Sequence, residues 1–320
     1  MIKTHHIIKF LQTAVFLLLV GQMLQAQFYD DRRSHWLVYR HEVGVTVGLT
    51  AFLGELGGAD AIGSDGLRDW NFNQNRFAIS IDYQYYLRKN LSVRANFLYA
   101  YLSGDDKNTK EAFRSNRNLH FRSTSMELTG MMQFYFLREE PGRKSHFDNR
   151  SFTMNVYAFL GIGVLYFNPK ANYNGEWVEL QPLGTEGQGI SSQPALYSRF
   201  TAVVPLGLGV SKKVWNYWML GIEVSYRKTF SDYIDDVSTV YYNNDKIYAE
   251  RGEMAAYLAD PSLGYYIDDS GSQIPLNSTE EGMQRGDPED KDAYLTGSFT
   301  ARFFLAGLRS GRKRSNRSFF

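Results

Sequence analysis

Cysteine is absent from the 320 residues. Its absence excludes disulfides, thiol catalysis, thiolate metal sites and the lipid-modified cysteine of a lipoprotein anchor. A surplus of charge of one sign is missing too. The 35 Lys and Arg nearly balance 34 Asp and Glu, a formal net charge of +1, so no nucleic-acid partner is expected. The mean hydropathy of -0.37 argues against a helical membrane protein. Histidine is scarce: beyond the first residues only His35, His41, His120 and His146 occur. No nucleotide, haem or zinc motif is present, and no cofactor is expected. Long apolar runs are confined to Ala14–Val20, which is short for a membrane anchor. With Lys3 and Lys9 before it and Leu24-Gln25-Ala26 after it, this run reads as a secretory signal over residues 1–26.

Aromatic residues, in contrast, reach 15%, with 22 Tyr and 22 Phe. Their setting is a recurring alternation. Val43-Gly44-Val45-Thr46-Val47-Gly48-Leu49-Thr50-Ala51 places apolar residues at odd positions, and Phe77–Tyr85 repeats the pattern. Period two is the strand period, because successive side chains point to opposite faces. Eight such segments are predicted: Glu42–Leu53, Arg76–Leu87, Leu91–Ser103, His120–Leu137, Phe152–Phe167, Phe200–Ser211, Trp218–Phe230 and Ala293–Leu305. Each is long enough to cross a bilayer as a tilted strand, which takes about 9–11 residues.

The connections alternate in length. Arg88-Lys89-Asn90 is tight, Lys212–Tyr217 is short and Glu139–Ser151 is moderate, whereas those after the first, third, fifth and seventh segments are long. Outer-membrane barrels have short periplasmic turns and long outside loops. An even strand number closes an antiparallel barrel without a free edge. The sequence therefore predicts an all-β fold: an eight-stranded antiparallel transmembrane β-barrel with long extracellular loops, a filled lumen and both termini periplasmic. Residues 27–41 form a periplasmic N-terminal segment, 42–308 the barrel, and 309–320 a basic tail.

Parity assigns the faces. Val43, Val45, Val47, Leu49 and Ala51 are expected toward lipid. So are Phe77, Ile79, Ile81, Tyr83 and Tyr85, then Met126, Leu128, Met132, Phe134 and Phe136. The sixth segment adds Phe200, Ala202, Val204, Leu206, Leu208 and Val210, and the eighth adds Leu295, Phe299, Ala301, Phe303 and Leu305. The opposite faces carry Glu42, Asp82, Arg94, Glu127, Glu223, Arg227 and Arg302. A midplane Arg in lipid costs about 2–4 kcal/mol, so these charges are expected inside as a paired network. Pro205 cannot donate a ladder hydrogen bond and predicts a local bulge or irregularity. In the longest connection Lys246–Ala259 is expected to be partly helical and Asp268–Lys291 irregular.

Catalytic arrangements fare poorly. His120, Ser123, Ser125 and Glu127 are close in sequence, but strand parity puts His120 on the face opposite the other three, so a triad does not assemble. Asp235-Asp236, Asp268-Asp269 and the cluster from Asp287 to Asp292 lack calcium-loop spacing and read as solvated loop carboxylates. No catalytic, cofactor-binding or metal-binding residue is assigned, and the chain is expected not to be an enzyme.

Four loop segments are more specific: Phe52-Leu53-Gly54-Glu55-Leu56-Gly57-Gly58, Arg117-Asn118-Leu119-His120-Phe121-Arg122-Ser123, Leu180-Gln181-Pro182-Leu183-Gly184-Thr185-Glu186-Gly187-Gln188-Gly189, and Thr229–Thr239 (TFSDYIDDVST). In this order they resemble the PorG-like family of Bacteroidetes outer-membrane barrels, components of the type IX secretion system. Glu55 departs from that pattern, where Asp is expected, with charge retained. The resemblance implies a non-enzymatic role in the outer membrane, anchoring or helping to place a periplasmic ring built from a lipoprotein and its partner. Without cysteine, such contact is non-covalent. The partner-binding candidates on the periplasmic rim are Arg88, Lys89, Arg143, Lys144, Lys212, Lys213, Arg312, Lys313 and Arg314. The loop segments themselves are expected either to knit into a cap or to form a docking surface. A small channel or solute-binding barrel is the competing expectation.

Overall fold

The computed structural model describes residues 40–56, 75–108, 111–138, 154–190, 193–215, 217–268 and 270–305. The signal segment, most of residues 27–41, Gly57-Gly58, Arg143, Lys144, Asp269, Arg312, Lys313 and Arg314 lie outside the described residues.

Eight long strands form the wall: β1 (His41–Leu53), β2 (Arg76–Arg88), β3 (Leu91–Asp105), β4 (His120–Leu137), β5 (Asn155–Tyr173), β7 (Phe200–Lys213), β8 (Trp218–Thr229) and β11 (Ala293–Phe304). A short β6 (Glu176–Glu179) extends β5, and β9 (Tyr265–Ile267) pairs with β10 (Gln273–Pro275) in a separate hairpin. Every neighbouring wall pair is antiparallel, and the pairings β4–β5 and β1–β11 close the ring. Closure leaves no wall strand with an open edge, the condition for backbone groups to be satisfied in hydrocarbon.

The alternation read from the sequence governs both faces. Along β1 exposed Val43, Val45, Val47 and Leu49 alternate with buried Glu42, Gly44, Thr46 and Thr50. Ile162 is 74% exposed and Phe299 71%, levels at which large apolar side chains need a lipid neighbour rather than water. Exposed aromatics gather at the two ends of the strands. Trp218 packs against Phe303 and Phe134 against Phe136 at one end, and Tyr99 against Tyr101 and Tyr166 against Phe200 at the other. Two such girdles mark the head-group levels of a barrel in a membrane. Among the described residues no helix is long and apolar enough to cross a membrane; the strands cross it. The protein is an eight-stranded outer-membrane barrel.

Three expectations are corrected and one is met. Ala51 and its cross-strand partner Leu295 are buried at the outer ends of β1 and β11, so the exposed apolar band stops below them. The fifth strand runs from Asn155, with Phe152 outside the described residues, and continues past Phe167 and Pro169 to Tyr173. It turns there through Asn174 and Gly175, both at positive φ (52° and 91°), into β6. Asn-Gly is the signature of a tight hairpin turn and was the signal for this extension. Pro205 inserts no residue, for the β7–β8 register runs through it unbroken, but the β5–β7 ladder lacks the two rungs at Val204 and Pro205, which is the local irregularity expected. The longest connection holds two helices, α2 (Asn244–Arg251) and α3 (Glu253–Ala259), separated by Gly252 at φ +85°, and its later part includes the β9–β10 hairpin. A single-turn-and-a-half helix, α1 (Ala112–Arg117), precedes β4.

Inward glycines make room for large neighbours. A Cβ at Gly209 would meet the ring of Tyr157 at 2.3 Å, and one at Gly207 the ring of Phe159 at 2.3 Å. Small residues opposite large ones are how a narrow barrel is filled.

Candidate functional site

The seven charged residues assigned to the interior, Glu42, Asp82, Arg94, Glu127, Glu223, Arg227 and Arg302, are all buried. The register brings them into three layers. In the middle, Glu223 Oε1 accepts from Arg94 Nη1 at 2.7 Å, from Arg302 Nη2 at 2.6 Å and from the Tyr157 hydroxyl at 2.8 Å. Arg302 Nε also donates to Asp82 at 3.2 Å, and Arg94 stacks 4.6 Å over Phe159. Toward the outside, Glu127 accepts from Arg227 and from the Tyr294 hydroxyl. At the periplasmic end, Tyr86 donates to Glu42 at 2.6 Å beside Tyr135, and Arg138 lies 3.7 Å over the Tyr86 ring.

Apolar plugs sit around these layers. Tyr86, Met131, Tyr135, Tyr157, Phe159, Met219 and Phe304 form one cluster, and Phe52, Leu56, Leu102, Phe121, Phe167, Ile234 and Val237 belong to another at the outer mouth. A lumen void beside Thr46, Ser80, Asn96 and Ser225 leaves about 20 Å³ for the centres of water molecules, enough for about one or two waters and no more.

Above the outer plug the long connections knit together. Asp106 is fully buried and accepts from Arg117 Nε at 2.8 Å, Arg114 Nε at 3.2 Å and the Leu119 amide at 3.2 Å. Arg117 reaches on to the carbonyls of Arg285 (2.7 Å) and Glu55 (3.0 Å). Arg285 pairs with Glu186 at 3.0 Å and donates to the carbonyl of Asp236 at 2.6 Å. Glu186 also accepts from the amides of Ser238 (2.9 Å) and Thr239 (3.1 Å). Asp236 accepts from Thr185 at 2.5 Å and from Tyr197 at 2.6 Å. The four segments that carry the family resemblance thus meet in one cap, with Tyr197 and Tyr233 stacked 4.5 Å apart beneath it.

The cap corrects one sequence expectation. Asp235, Asp236 and Asp292 are not solvated: each is 1% exposed. Asp268 is solvated and accepts from Ser270 and Ser272, which holds its carboxyl below the ordinary value. Burial pushes Asp232 and Asp236 up to about 6, the latter in spite of Arg285. Burial, then the neighbouring Asp235 and Asp232, raise Glu55; burial, then Asp235 and Glu55, raise Asp292. Glu55, Asp232 and Asp292 stand close enough to share a metal ion, one ligand atom of each lying within 4.8 Å of the others. No sequence spacing announced this group, because its members come from three separate segments.

The residues that parity kept from forming a triad go to structural uses. His120 Nε2 accepts from the Asn172 amide at 2.9 Å, Ser123 Oγ accepts from the Asn168 amide at 3.0 Å, and Glu127 holds Arg227. On the periplasmic rim Arg88, Lys89 and Lys212 are exposed and Lys213 is half-buried, next to exposed Val214 and Trp215.

The family model described as a domain of unknown function, DUF6089, matches residues 15–251. The chain belongs to this family. No curated protein matches it. Among solved structures, Neisserial surface protein A is 9% identical with a TM-score of 0.36, covering 83% of this chain and 97% of that one. The attachment invasion locus protein Ail of Yersinia pestis is 9% identical with a TM-score of 0.34, covering 82% and 99%. OprG of Pseudomonas aeruginosa is 7% identical with a TM-score of 0.32, covering 83% and 97%. At these scores the likeness adds nothing to what the DUF6089 chain's own strands show.

Proposed function

We propose that this DUF6089 barrel is a non-enzymatic anchor or assembly component of a protein secretion machine, type IX secretion, acting by contact with a periplasmic ring of a lipoprotein and its partner. The observation that carries the reading is the use made of the four resembling loop segments. They bind one another, through Asp106, Arg117, Glu186, Arg285 and Asp236, into a cap over a filled lumen. A lumen void of about 20 Å³ speaks against the competing channel or solute-binding reading. The face that a large partner would meet is the periplasmic rim: Arg88, Lys89, Lys212 and Lys213, the apolar Val214 and Trp215, and, outside the described residues, Arg143, Lys144, Arg312, Lys313 and Arg314.

The test is affinity purification of the tagged chain from native membranes in mild detergent. Recovery of the ring lipoprotein and its partner is expected. Reversal of charge at Arg88, Lys89, Lys212 and Lys213 should lower that recovery while the barrel still runs as a compact band without heating. A bare monomer from native membranes would overturn the proposal.

A further inference from the structure

Buried carboxylates elsewhere in the cap show how this chain satisfies such groups. Asp106 has Arg117 and Arg114; Glu186 has Arg285 and two backbone amides; Asp236 has Thr185, Tyr197 and Arg285. Glu55, Asp232 and Asp292 are treated differently. Each is fixed through one oxygen only. Glu55 Oε1 accepts from the Asp287 amide at 3.1 Å, Asp232 Oδ2 from Ser238 Oγ at 2.7 Å, and Asp292 Oδ2 from the Ile234 amide at 2.9 Å. The second oxygen of each, Glu55 Oε2, Asp232 Oδ1 and Asp292 Oδ1, is buried and has no hydrogen-bond partner. Asp232 is 2% exposed and Asp292 1%. A buried carboxylate oxygen without a partner is costly, and here three are gathered.

The local cations do not answer them. Lys291 Nζ stands 3.9 Å from Asp232 Oδ2, the oxygen already held by Ser238, and its side chain is 40% exposed. Arg117 is committed to Asp106. Asp235 adds a further carboxylate, both of whose oxygens accept backbone amides, from Leu56 and Val237. Space is kept beside the cluster: a Cβ on Gly54 would lie 2.3 Å from Asp292 Oδ1.

We propose that Glu55, Asp232 and Asp292 bind a divalent cation, calcium, at the outer mouth of the barrel. The donors are all oxygen, which selects a hard cation over zinc or copper. Their mutual reach of 4.8 Å matches two calcium–oxygen bonds of about 2.3–2.6 Å placed across one ion. The ion would tie the end of β1, the start of the β8–β11 connection and the entry to β11 into one rigid point. The inference does not depend on the secretion partner.

The experiment is calorimetric titration of calcium chloride into the full chain, refolded in non-ionic detergent free of lipopolysaccharide and stripped with chelator, near neutral pH. One saturable site with a Kd of about 0.1–1 mM is expected. Asp292→Asn should weaken binding about tenfold or more, and Asp268→Asn, in the exposed hairpin, should leave it unchanged. No saturable binding at ten times that concentration, or equal affinity in Asp292→Asn and the unaltered chain, would overturn the proposal. Should Asp292→Asn fail to fold, Glu55→Gln, at the half-buried ligand, decides: affinity equal to that of the unaltered chain places the ion elsewhere.

Discussion

Glu223 receives three donors in the lumen, from Arg94, Arg302 and Tyr157. Removing its carboxylate leaves two buried guanidiniums with only Asp82 to share. Breaking a buried pair from one side costs about 3–5 kcal/mol, far more than the pair itself contributes. Glu223→Ala should therefore lower unfolding stability by that amount in urea, read by tryptophan fluorescence in lipid vesicles. A change within about 0.5 kcal/mol, the size of an ordinary surface substitution, would show that the layer does not carry charge. The inward position of Glu223 was legible from parity alone, as were those of Asp82, Arg94 and Arg302. The burial of Asp235, Asp236 and Asp292 was not. A run of acidic residues in a loop looks the same whether it faces water or a partner such as Arg285, 49 residues beyond Asp236.

The connecting elements obey a different logic from the strands. The wall strands were readable because each carries its own period of two, a property of neighbours in sequence. The cap is built from groups whose partners are distant: Arg117 meets Arg285 across 168 residues, and Leu56 meets Asp235 across 179. Local propensity holds no record of such pairs. Their titration gives a testable consequence. Burial raises Asp232 and Asp236 from 3.8 to about 6 in the folded cap. The folded state therefore holds more protons than the unfolded chain between those values, and stability falls as pH rises through them. Glu55, Asp235 and Asp292, raised in the same direction, extend the loss upward; Asp287, Glu186, Lys291, Arg117 and Arg285 are the other charges facing the group. With chelator present, amide exchange protection in residues 231–239, corrected for intrinsic rates, should be lower at pH 8 than at pH 5. Protection that rises with pH would contradict the sign.

At the scale of the molecule, closure decides what the barrel can do. Eight strands enclose an interior just wide enough for side chains, and this chain fills it in layers. An aromatic plug lies at the periplasmic end, ionic pairs lie in the middle, and an apolar plug with Ile234 and Val237 closes the outer mouth under the cap. The strand count, the girdles and the filled lumen all follow from patterns repeated along the chain, which is why they were legible. A ring partner leaves no periodic mark, and the rim basic residues specify charge without specifying shape. An ion would have to displace Arg302 from both Asp82 and Glu223, then pass a void of about 20 Å³ and an apolar layer. Each layer alone is a barrier of several kcal/mol to a desolvated ion. The purified chain should therefore be electrically silent in planar bilayers, at the same protein-to-lipid ratio at which a porin control gives unitary steps. Stepwise conductance from the unaltered chain would mean that the plugs move aside in the membrane, and the channel reading would displace the anchor.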